Sequence, residues 1–418
     1  MRAEVVVLPG QTTRKVYAEA QQLSIPNMQN GRALFVTPEA PYPTRGGGAL
    51  RSASLLEYLA KRYEVDVIVF REPGAEDPSH LFPPGTVRRV HVLELPHHRN
   101  NPVSRAVRNA GRLARGIPPL VDRFAGFADR IAALVHGQSY RVAAIEHFWC
   151  APYWEQVAPV SSRTVLDLHN IESVLHERCA RTERGPGALA HELFCQFARD
   201  WEARWLPRYD CLLTTSAADA ELARAISPLS LITVYPNAIP FVPRPDVPER
   251  EMIMFSGNLE YHPNILAVRF FRDEIWPILR DRWPSLVWRL AGKNPHGVRK
   301  LTSGDARIEL PGPMENAIEE LASARVVVVP LLAGSGTRFK VIEAWAAGRA
   351  VVATTIGVEG LPARHGENVL IADSPRDFAD AVSLLLTSPH LRATLGETGR
   401  TVFESEFTWE VGWQKLDL

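Results

Sequence analysis

The sequence has few cysteines and no excess of charge of either sign, and both shortages narrow what the protein can be. Four of its 418 residues are cysteine, at positions 150, 179, 195 and 211. No two of them form a Cys-x-x-Cys pair, so we expect unpaired thiols in a reducing compartment rather than a disulfide framework. Lys plus Arg and Asp plus Glu both number 47, so no overall electric field favours nucleic acid as a partner.

Long apolar runs and metal-binding spacings are missing as well. Nowhere do about 18 apolar residues follow one another, the length that a transmembrane helix needs. The apolar run before Pro9 is shorter than the roughly 7 to 15 residues of a signal peptide core. We therefore expect a cytoplasmic protein. The sequence has no His-x-x-x-His pair, no cysteine cluster and no Asp-x-Asp at a predicted strand end, so we expect no metal and no required cofactor.

Short apolar runs alternate with helical patterns in two series. Residues 33–38 and 65–70 read as strands on either side of a helix at 48–63, and the same alternation restarts at 252–257. Continuous apolar strands alternating with helices predict parallel sheets covered on both faces. The series are separated by a segment that carries five prolines and suits neither helix nor sheet.

The predicted fold class is therefore α/β, with two Rossmann-like β/α/β domains that face each other across a cleft. We place the N-terminal domain at residues 1–235, where 1–30 form an extension to which we assign no role. The proline-rich linker covers 236–250 and the C-terminal domain 251–400. Ligands of such sheets bind beyond the carboxyl ends of the strands, so we expect the site in the cleft.

The segment from residue 326 to 354 predicts an anion site. It reads as a buried strand, a Gly-Ser-Gly-Thr turn, a helix and another buried strand. Gly334 and Gly336 would let backbone amides approach a phosphate at the positive end of the helix dipole. Arg338 and Lys340 add cations to a first turn that disfavours them unless an anion is bound. Alternatively, Lys340 and Glu343 form an ordinary surface pair worth about 0.2 to 0.5 kcal/mol.

In the N-terminal series, Gly46, Gly47 and Gly48 open a helix directly after the first strand. Three successive glycines cost backbone entropy, which favours close approach to a ligand over a plain turn. His147 and His169 end two later strands and should emerge at the cleft. Either histidine could be structural or functional, and the sequence pattern alone leaves both alternatives open. Glu146 and Asp167 precede them and should point to the opposite face of the sheet, so we do not group them with the histidines.

The helix that follows the glycine turn resembles the nucleotide-sugar motif of family-four retaining glycosyltransferases of the GT-B fold, the glycosyl transferases group 1. The matching residues are Lys340, Glu343, Ala344, Ala346, Gly348, Val351, Val352, Ala353 and Thr354. Residues 255–264 and 290–294 are similar to further strand ends of the family. The turn at 407–414 resembles the start of the family's last helix, which implies that residues 401–418 cross back to the N-terminal domain.

The resemblance implies transfer of a sugar, with retention and without a metal, from a UDP- or GDP-sugar to an acceptor hydroxyl. It suggests polysaccharide, glycolipid or glycoconjugate biosynthesis, with a glycan or a lipid-linked acceptor. It places Glu343 on the ribose, Arg338 and Lys340 on the diphosphate, and His147 against the sugar. The other donor-binding residues expected are Gly47, Gly48, Gly257, Asn258, Ser335, Gly336 and Thr337.

Two departures from the family pattern leave alternatives open. Ser335 stands where the family has the first of two acids, and Asn258 and His262 stand where many members have an Arg and a Lys. These departures also fit a catalytically degenerate protein that only binds nucleotide sugars. A non-hydrolysing nucleotide-sugar epimerase shares the same architecture and is a further alternative.

Basic residues are concentrated between residues 97 and 141. Arg105, Arg108, Arg112 and Arg115 recur at three- and four-residue steps, which predicts one face of a helix. That face is either an ordinary solvated surface or a site that docks on anionic lipid, where each basic residue contributes about 1 kcal/mol. The second alternative predicts a peripheral protein on the inner face of the membrane.

Overall fold

The computed structural model describes residues 31–44, 46–98, 101–182, 186–314, 316–333 and 337–418. The extension at residues 1–30, the glycine turn at 334–336 and the side chain of Arg105 lie outside this description. The described residues form two α/β domains, each built around one parallel sheet. In this part of the chain no helix is long and apolar enough to cross a membrane.

The N-terminal sheet has seven parallel strands in the order β3-β2-β1-β4-β5-β6-β7. The strands are β1 (Arg32–Thr37), β2 (Glu64–Arg71), β3 (Arg89–Glu94), β4 (Val142–Glu146), β5 (Thr164–Leu168), β6 (Cys211–Thr214) and β7 (Ile232–Val234). The helices are α1 (Gly47–Ala60), α2 (Pro102–Arg115), α3 (Pro119–Phe124), α4 (Ala128–Val135), α5 (Trp154–Val157), α6 (Glu172–Thr182), α7 (Pro186–Trp205) and α8 (Ala217–Ile226). β7 was not predicted, because its residues are only half-buried and give no apolar contrast.

The C-terminal sheet has six parallel strands in the order β10-β9-β8-β11-β12-β13. They are β8 (Arg250–Ser256), β9 (Val287–Ala291), β10 (Ile308–Gly312), β11 (Ala324–Val329), β12 (Val351–Ala353) and β13 (Leu370–Ile371). The helices are α9 (His262–Phe270), α10 (Trp276–Arg282), α11 (Arg299–Thr302), α12 (Ala317–Ala322), α13 (Phe339–Ala346), α14 (Pro375–Thr387), α15 (Pro389–Glu406) and α16 (Trp409–Trp413). A π-helical turn at Phe271–Ile275 joins α9 to α10.

Both sheets reverse strand order at one point. In the N-terminal sheet the reversal lies between β1 and β4, and in the C-terminal sheet between β8 and β11. At each of these points the chain leaves the two adjacent strands toward opposite faces of the sheet, which opens a crevice at the carboxyl ends of the strands. The predicted fold class is confirmed, and these two crevices are where a ligand is expected.

Two segments that lie next to each other connect the two domains. The proline-rich linker pairs with the segment between α15 and α16, because Ile239 accepts a backbone bond from Trp409 and donates one to Phe407. Beyond this point α16 packs on the N-terminal domain, where Trp409, Trp413 and Leu416 join a core cluster with Leu55 and Tyr235. The predicted return of the chain end to the N-terminal domain is therefore confirmed, and the returning segment begins near Thr408.

We expect Trp413→Ala to destabilise the protein by about 3 to 5 kcal/mol, because removing a buried Trp side chain leaves a cavity. The Trp413 indole also donates to the carbonyl of Ser54 at 3.0 Å. Chemical denaturation measures the loss, and Leu384→Ala, an exposed position on α14, is the control. Equal stability of both variants would show that the returning segment is not part of the N-terminal core.

Candidate functional site

A cavity of about 310 Å³ lies between the two domains. The N-terminal domain contributes the loop after β1 and the start of α1. The C-terminal domain contributes the loop after β8, the end of β11 and the start of α13. The residues that line the cavity, from both domains, are Thr44, Gly46, Gly47, Leu50, Gly257, Asn258, Tyr261, Pro263, Asn264, Val329, Leu331, Ala333, Thr337, Arg338, Phe339, Lys340 and Glu343. The cavity therefore sits where the reversal points of both sheets face each other.

Lys340 and Glu343 share the cavity-facing side of α13. Burial lowers the pKa of Lys340 to about 8 and raises the pKa of Glu343 to about 6. The Lys340 ammonium lies 5.3 Å from the centre of the Phe255 ring. Both side chains are half-buried and line the interdomain cavity, so the interpretation of the two residues as an ordinary surface pair is wrong.

Gly257 allows Lys340 to reach the loop after β8. Its φ angle is +144°, and a Cβ there would lie 2.4 Å from the Lys340 ammonium nitrogen. Asn264 fixes the same loop by donating to the Asn258 carbonyl at 2.7 Å. The Asn258 side-chain oxygen accepts from Asn294 at 3.1 Å. The loop thus places backbone, rather than side chains, beside the Lys340 ammonium.

Arg338 lines the cavity but is anchored outside it. It lies at the N-cap of α13 rather than within the first turn, and only 5% of it is exposed. Its guanidinium donates to the Glu359 carboxylate at 2.8 Å and to the Ile356 carbonyl at 2.8 Å. Since Glu359 offsets part of its charge, Lys340 is the cation that faces the cavity more directly.

The three glycines at the start of α1 serve different purposes. Gly46 has φ +115°, which disfavours any other residue. A Cβ on Gly47 would lie 2.6 Å from the Phe339 ring of the opposite domain. Gly48 has open space around it and does not line the cavity. Close packing between the domains therefore explains Gly47, and the prediction that Gly48 lies at the donor site is not supported by its position.

His147 and His169 lie together at the carboxyl ends of β4 and β5, apart from the cavity lining. Their rings stack with centroids 3.5 Å apart, and Trp149 stacks on the other side of His147 at 4.2 Å. His147 has φ +61°, so the chain turns sharply where the strand ends. Burial lowers the pKa of His169 to about 4, which keeps its imidazole neutral at neutral pH.

The expectation that Glu146 stands apart from the histidines is wrong. Its carboxylate lies 2.6 Å from Nε2 of His169 and accepts from the Ser52 hydroxyl at 2.6 Å. Alternation separates Glu146 from His147. However, Asp167 lies two residues before His169 and therefore shares its face, with the Asp167 carboxylate 3.5 Å from Nε2 of His169. Glu146 is the register partner of Asp167, so Glu146, Asp167 and His169 project on the same face.

Sequence reasoning also missed Arg51, which holds this cluster in place. Arg51 projects from α1 and makes two bonds to the Asp167 carboxylate, at 2.8 and 2.5 Å. It also donates to the Tyr235 carbonyl at 2.6 Å and to the Asn237 side chain at 3.1 Å. Asn237 in turn donates to the Thr337 hydroxyl at 2.7 Å. No pattern in the sequence marks a buried arginine as the link between the linker and the cavity.

Two polar atoms of the cluster have no hydrogen-bond partner within the described residues. They are Oε1 of Glu146 and Nδ1 of His147, both buried. Burial raises the pKa of Glu146 to about 7. Ligand atoms of Glu146, His147 and His169 lie within 4.8 Å of one another, a spacing that could hold a metal ion. The sequence motifs did not reveal this trio, because its members come from two strands.

Of the remaining predicted residues, one lies at the cavity, one does not, and two are not described. Ser335 and Gly336 lie outside the described residues. His262 is exposed at the start of α9, whereas its neighbours Tyr261 and Pro263 line the cavity. Thr337 lies at the cavity, where its hydroxyl bonds to Asn237. Tyr261 and Phe339 are lining residues that the sequence analysis did not select.

Comparison with known proteins agrees with this geometry. Residues 250–388 match the family described as glycosyl transferases group 1. A sucrose-phosphate synthase from Thermosynechococcus elongatus has a TM-score of 0.66 at 18% identity, covering 92% of this chain and 96% of its own. Anabaena HepE in complex with UDP-glucose has a TM-score of 0.62 at 15% identity, covering 92% and 97%. The chain has the GT-B fold.

A protein from Klebsiella pneumoniae is also similar to this GT-B chain. It is described as an uncharacterized 44.6 kDa protein in a cps region. It is 20% identical over 358 residues, which are 83% of this chain and 89% of the relative. The recognition of a group 1 glycosyltransferase from residues 340–354 is confirmed, while the likeness to the retaining family-four branch stays a prediction.

We expect Gly257→Ala to weaken nucleotide binding to this GT-B chain by roughly tenfold or more, because the methyl group displaces the Lys340 ammonium and hydrogen bonds to charged groups are worth about 1.5 to 3 kcal/mol. Calorimetric titration with UDP and GDP measures it. Gly304→Ala is the matched control, since Gly304 also has a positive φ but no atom near the added Cβ. Equal nucleotide affinity in the two variants would show that the close contact between Gly257 and the Lys340 ammonium plays no role in binding.

Proposed function

We propose that the protein transfers a sugar from a UDP- or GDP-sugar to an acceptor hydroxyl. The observation that carries the proposal is the desolvated pair of Lys340 and Glu343 beside Gly257 in the interdomain cavity. The group 1 match of residues 250–388 covers these residues, and a structural neighbour is complexed with UDP-glucose. The cps region of the Klebsiella pneumoniae relative favours an acceptor in polysaccharide or glycoconjugate biosynthesis.

We assign the donor's parts to separate groups of the cavity. Glu343 accepts hydrogen bonds from the ribose hydroxyls. Lys340 and Arg338 offset the charge of the diphosphate, while Gly257 and Gly47 keep backbone close to it. Cationic groups fixed before reaction stabilise charge that develops on a leaving group, which is the main demand of this transfer.

The reaction proceeds with retention of the anomeric configuration, as the resemblance to family-four enzymes implies. The bond between the anomeric carbon and the phosphate oxygen breaks, and a bond from that carbon to the acceptor oxygen forms. The acceptor proton passes to the leaving phosphate. Oε1 of Glu146 and Nδ1 of His147 are buried and unpartnered within the described residues, so we assign them to hydroxyls of the bound sugar or acceptor, since buried polar atoms require partners.

We propose that the transfer needs no metal. The cations Lys340 and Arg338 supply the positive charge that a metal would bring to the diphosphate. In the trio of Glu146, His147 and His169, His169 and Ser52 occupy Oε2 of the Glu146 carboxylate, and we assign the two unpartnered atoms to hydroxyl groups. The role of the trio is to present polar atoms rather than to bind an ion.

We expect the affinity for a nucleotide sugar to be highest between about pH 6 and pH 8. Below about pH 6, Glu343 gains a proton and no longer accepts two ribose hydroxyls. Above about pH 8, Lys340 loses its charge and attracts the diphosphate less. Calorimetric titration with UDP-glucose and GDP-mannose measures this, because their diphosphates lack the phosphate group that titrates near pH 6. The metal-free proposal predicts the same affinities with EDTA present.

In Glu343→Gln we expect the affinity for a nucleotide sugar to stop falling below about pH 6, because the carboxyl group that titrates is gone. At pH 7 we expect this variant to bind the nucleotide sugar roughly tenfold more weakly, since a hydrogen bond to a charged group is worth about 1.5 to 3 kcal/mol. The control is Glu397→Gln, an exposed acid that pairs with Arg244 at the surface. An unchanged affinity and pH profile in Glu343→Gln would remove Glu343 from the ribose site.

We propose that the acceptor is lipid-linked and that α2 docks on an anionic membrane surface. The structure changes how this contact must be made. Arg112 and Arg115 both pair with Asp122, so the basic face predicted to meet lipid is partly neutralised. The outward face of α2 is apolar, with Val103 73% and Val107 67% exposed. An amphipathic helix inserts such a face at the lipid interface, with basic residues nearby.

We expect the protein to sediment with anionic but not with neutral vesicles at low salt. Val103→Asp combined with Val107→Asp abolishes sedimentation because it places charge on the inserting face. The control combines Leu229→Asp with Leu231→Asp, two exposed positions of the same domain away from α2. Wild-type protein that stays in the supernatant with anionic vesicles would contradict the membrane proposal.

A further inference from the structure

A second cavity, of about 410 Å³, opens beside β2 and β3 in the N-terminal domain. Its walls are the segments that follow these two strands, together with α2 and α3. The lining residues are Glu72, Pro73, His97, His98, Arg108, Arg112 and Arg123. Three arginines and two histidines thus surround one space, against a single carboxylate in the lining.

The cavity lies at the same edge of the sheet as the interdomain cavity. β2 ends at Arg71 and β3 at Glu94, and the cavity is formed by the residues that come next. β2 is the direct neighbour of β1, whose following loop lines the interdomain cavity. Because parallel strands share their carboxyl edge, a molecule in this second cavity lies on the acceptor side of the domain.

Two of the three arginines, Arg112 and Arg123, are held in place by hydrogen bonds. Arg123 is anchored by the Glu72 carboxylate and donates to the Pro96 carbonyl at 2.8 Å. Arg112 donates to Asp122 at 2.8 Å and to Asn109 at 3.2 Å. Asp122 also binds Arg115 at 2.6 Å, so one carboxylate serves two guanidiniums. Local positive charge therefore exceeds local negative charge around the cavity.

The pKa of His98 reflects the positive charge around the cavity. Burial lowers the pKa of His98, and Arg123, Arg108 and Arg112 lower it further. These arginines come from α2 and α3, so they converge on one position instead of spreading over a surface. A bound anion would relieve their mutual repulsion.

We propose that this basic cavity binds a phosphate or diphosphate group and, resting on the proposed function, that the group belongs to the acceptor. Planar guanidinium groups match the oxygens of a phosphate with pairs of charge-assisted hydrogen bonds. Anchored arginines lose little freedom when the anion enters, which favours binding. The cavity accounts for three members of the arginine surplus at residues 97–141, namely Arg108, Arg112 and Arg123.

The test is titration of the full-length protein with inorganic pyrophosphate. Binding is measured by calorimetry and by changes in the NMR signals of His97 and His98. Pyrophosphate could also enter the donor cavity, so the titration is repeated on Gly257→Ala, in which the Lys340 ammonium is displaced. We expect Gly257→Ala to retain pyrophosphate binding and the shifts of the histidine signals. We expect Arg108→Gln combined with Arg112→Gln to weaken that binding by at least about tenfold.

Arg115→Gln is the matched control. Arg115 lies on the same helix and pairs with the same Asp122, yet it does not line the cavity. In the double variant Asp122 keeps Arg115 as a partner, so the fold should survive, and unchanged nucleotide binding verifies this. Pyrophosphate binding that is lost in Gly257→Ala but unaffected in the double variant would overturn the proposal. If nucleotide binding fails in the wild type while pyrophosphate still binds, the proposed function is wrong and the anion site stands.

Two further titrations distinguish the source of the phosphate. Glycerol 3-phosphate represents a soluble phosphomonoester, and vesicles of neutral lipid that contain phosphatidic acid represent a lipid-borne one. A lipid-linked acceptor predicts that the double arginine variant loses affinity for the vesicles. A soluble acceptor predicts the same loss with glycerol 3-phosphate and none with the vesicles. No dependence on Arg108 and Arg112 in either titration would contradict the assignment.

Discussion

The buried guanidinium of Arg51 is the constraint on which the arrangement of this molecule depends. A buried charge is tolerated only when it is paired and its donors are satisfied. Arg51 meets this requirement through Asp167 on β5, the Tyr235 carbonyl and Asn237 of the linker. Because Asn237 continues to Thr337, one charge fixes α1, the strand edge, the linker and the entrance to α13 relative to one another.

The same constraint shapes the histidine cluster. Asp167 is committed to Arg51, so the carboxylate nearest to Nε2 of His169 is Glu146. The rings of His147 and His169 then stack, and polar atoms of Glu146 and His147 are left without a partner among the described residues. An enzyme that binds hydroxyl-rich substrates gains from such atoms, since their hydrogen bonds form only when the substrate is present. The cluster and the cavity are thus two parts of one cleft, joined through Arg51.

Much of the fold could be predicted from the sequence because burial leaves a local signature. Strands such as β1 and β11 are buried at every residue except one arginine each and read as nearly continuous apolar runs. The proline-rich segment separates the two series. The cavity residues Lys340 and Glu343 could be selected because a glycine turn, a helix start and cations follow one another in the chain. β7 left no such signature, because its residues are half-buried.

What could not be predicted depends on contacts between distant parts of the chain. The approach of Glu146 to His169 depends on the register of β4 against β5, which periodicity does not reveal. The helix of α2 was predicted, but not the direction of its side chains: Arg108 and Arg112 line a cavity while Val103 and Val107 face outward. Likewise Gly47 makes room for Phe339 of the other domain, and no local pattern in the sequence predicts this contact.

The central claim is that the interdomain cavity binds a nucleotide sugar, and thermal unfolding in the presence of a panel of UDP- and GDP-sugars tests it most directly. A ligand that binds the folded state raises its stability by RT ln(1 + [L]/Kd), about 2.7 kcal/mol at a concentration 100 times Kd. The account predicts that one nucleotide series raises the melting temperature of the wild type and not of Lys340→Ala. If no member of either series raises it, or if Lys340→Ala responds as the wild type does, the claim is contradicted.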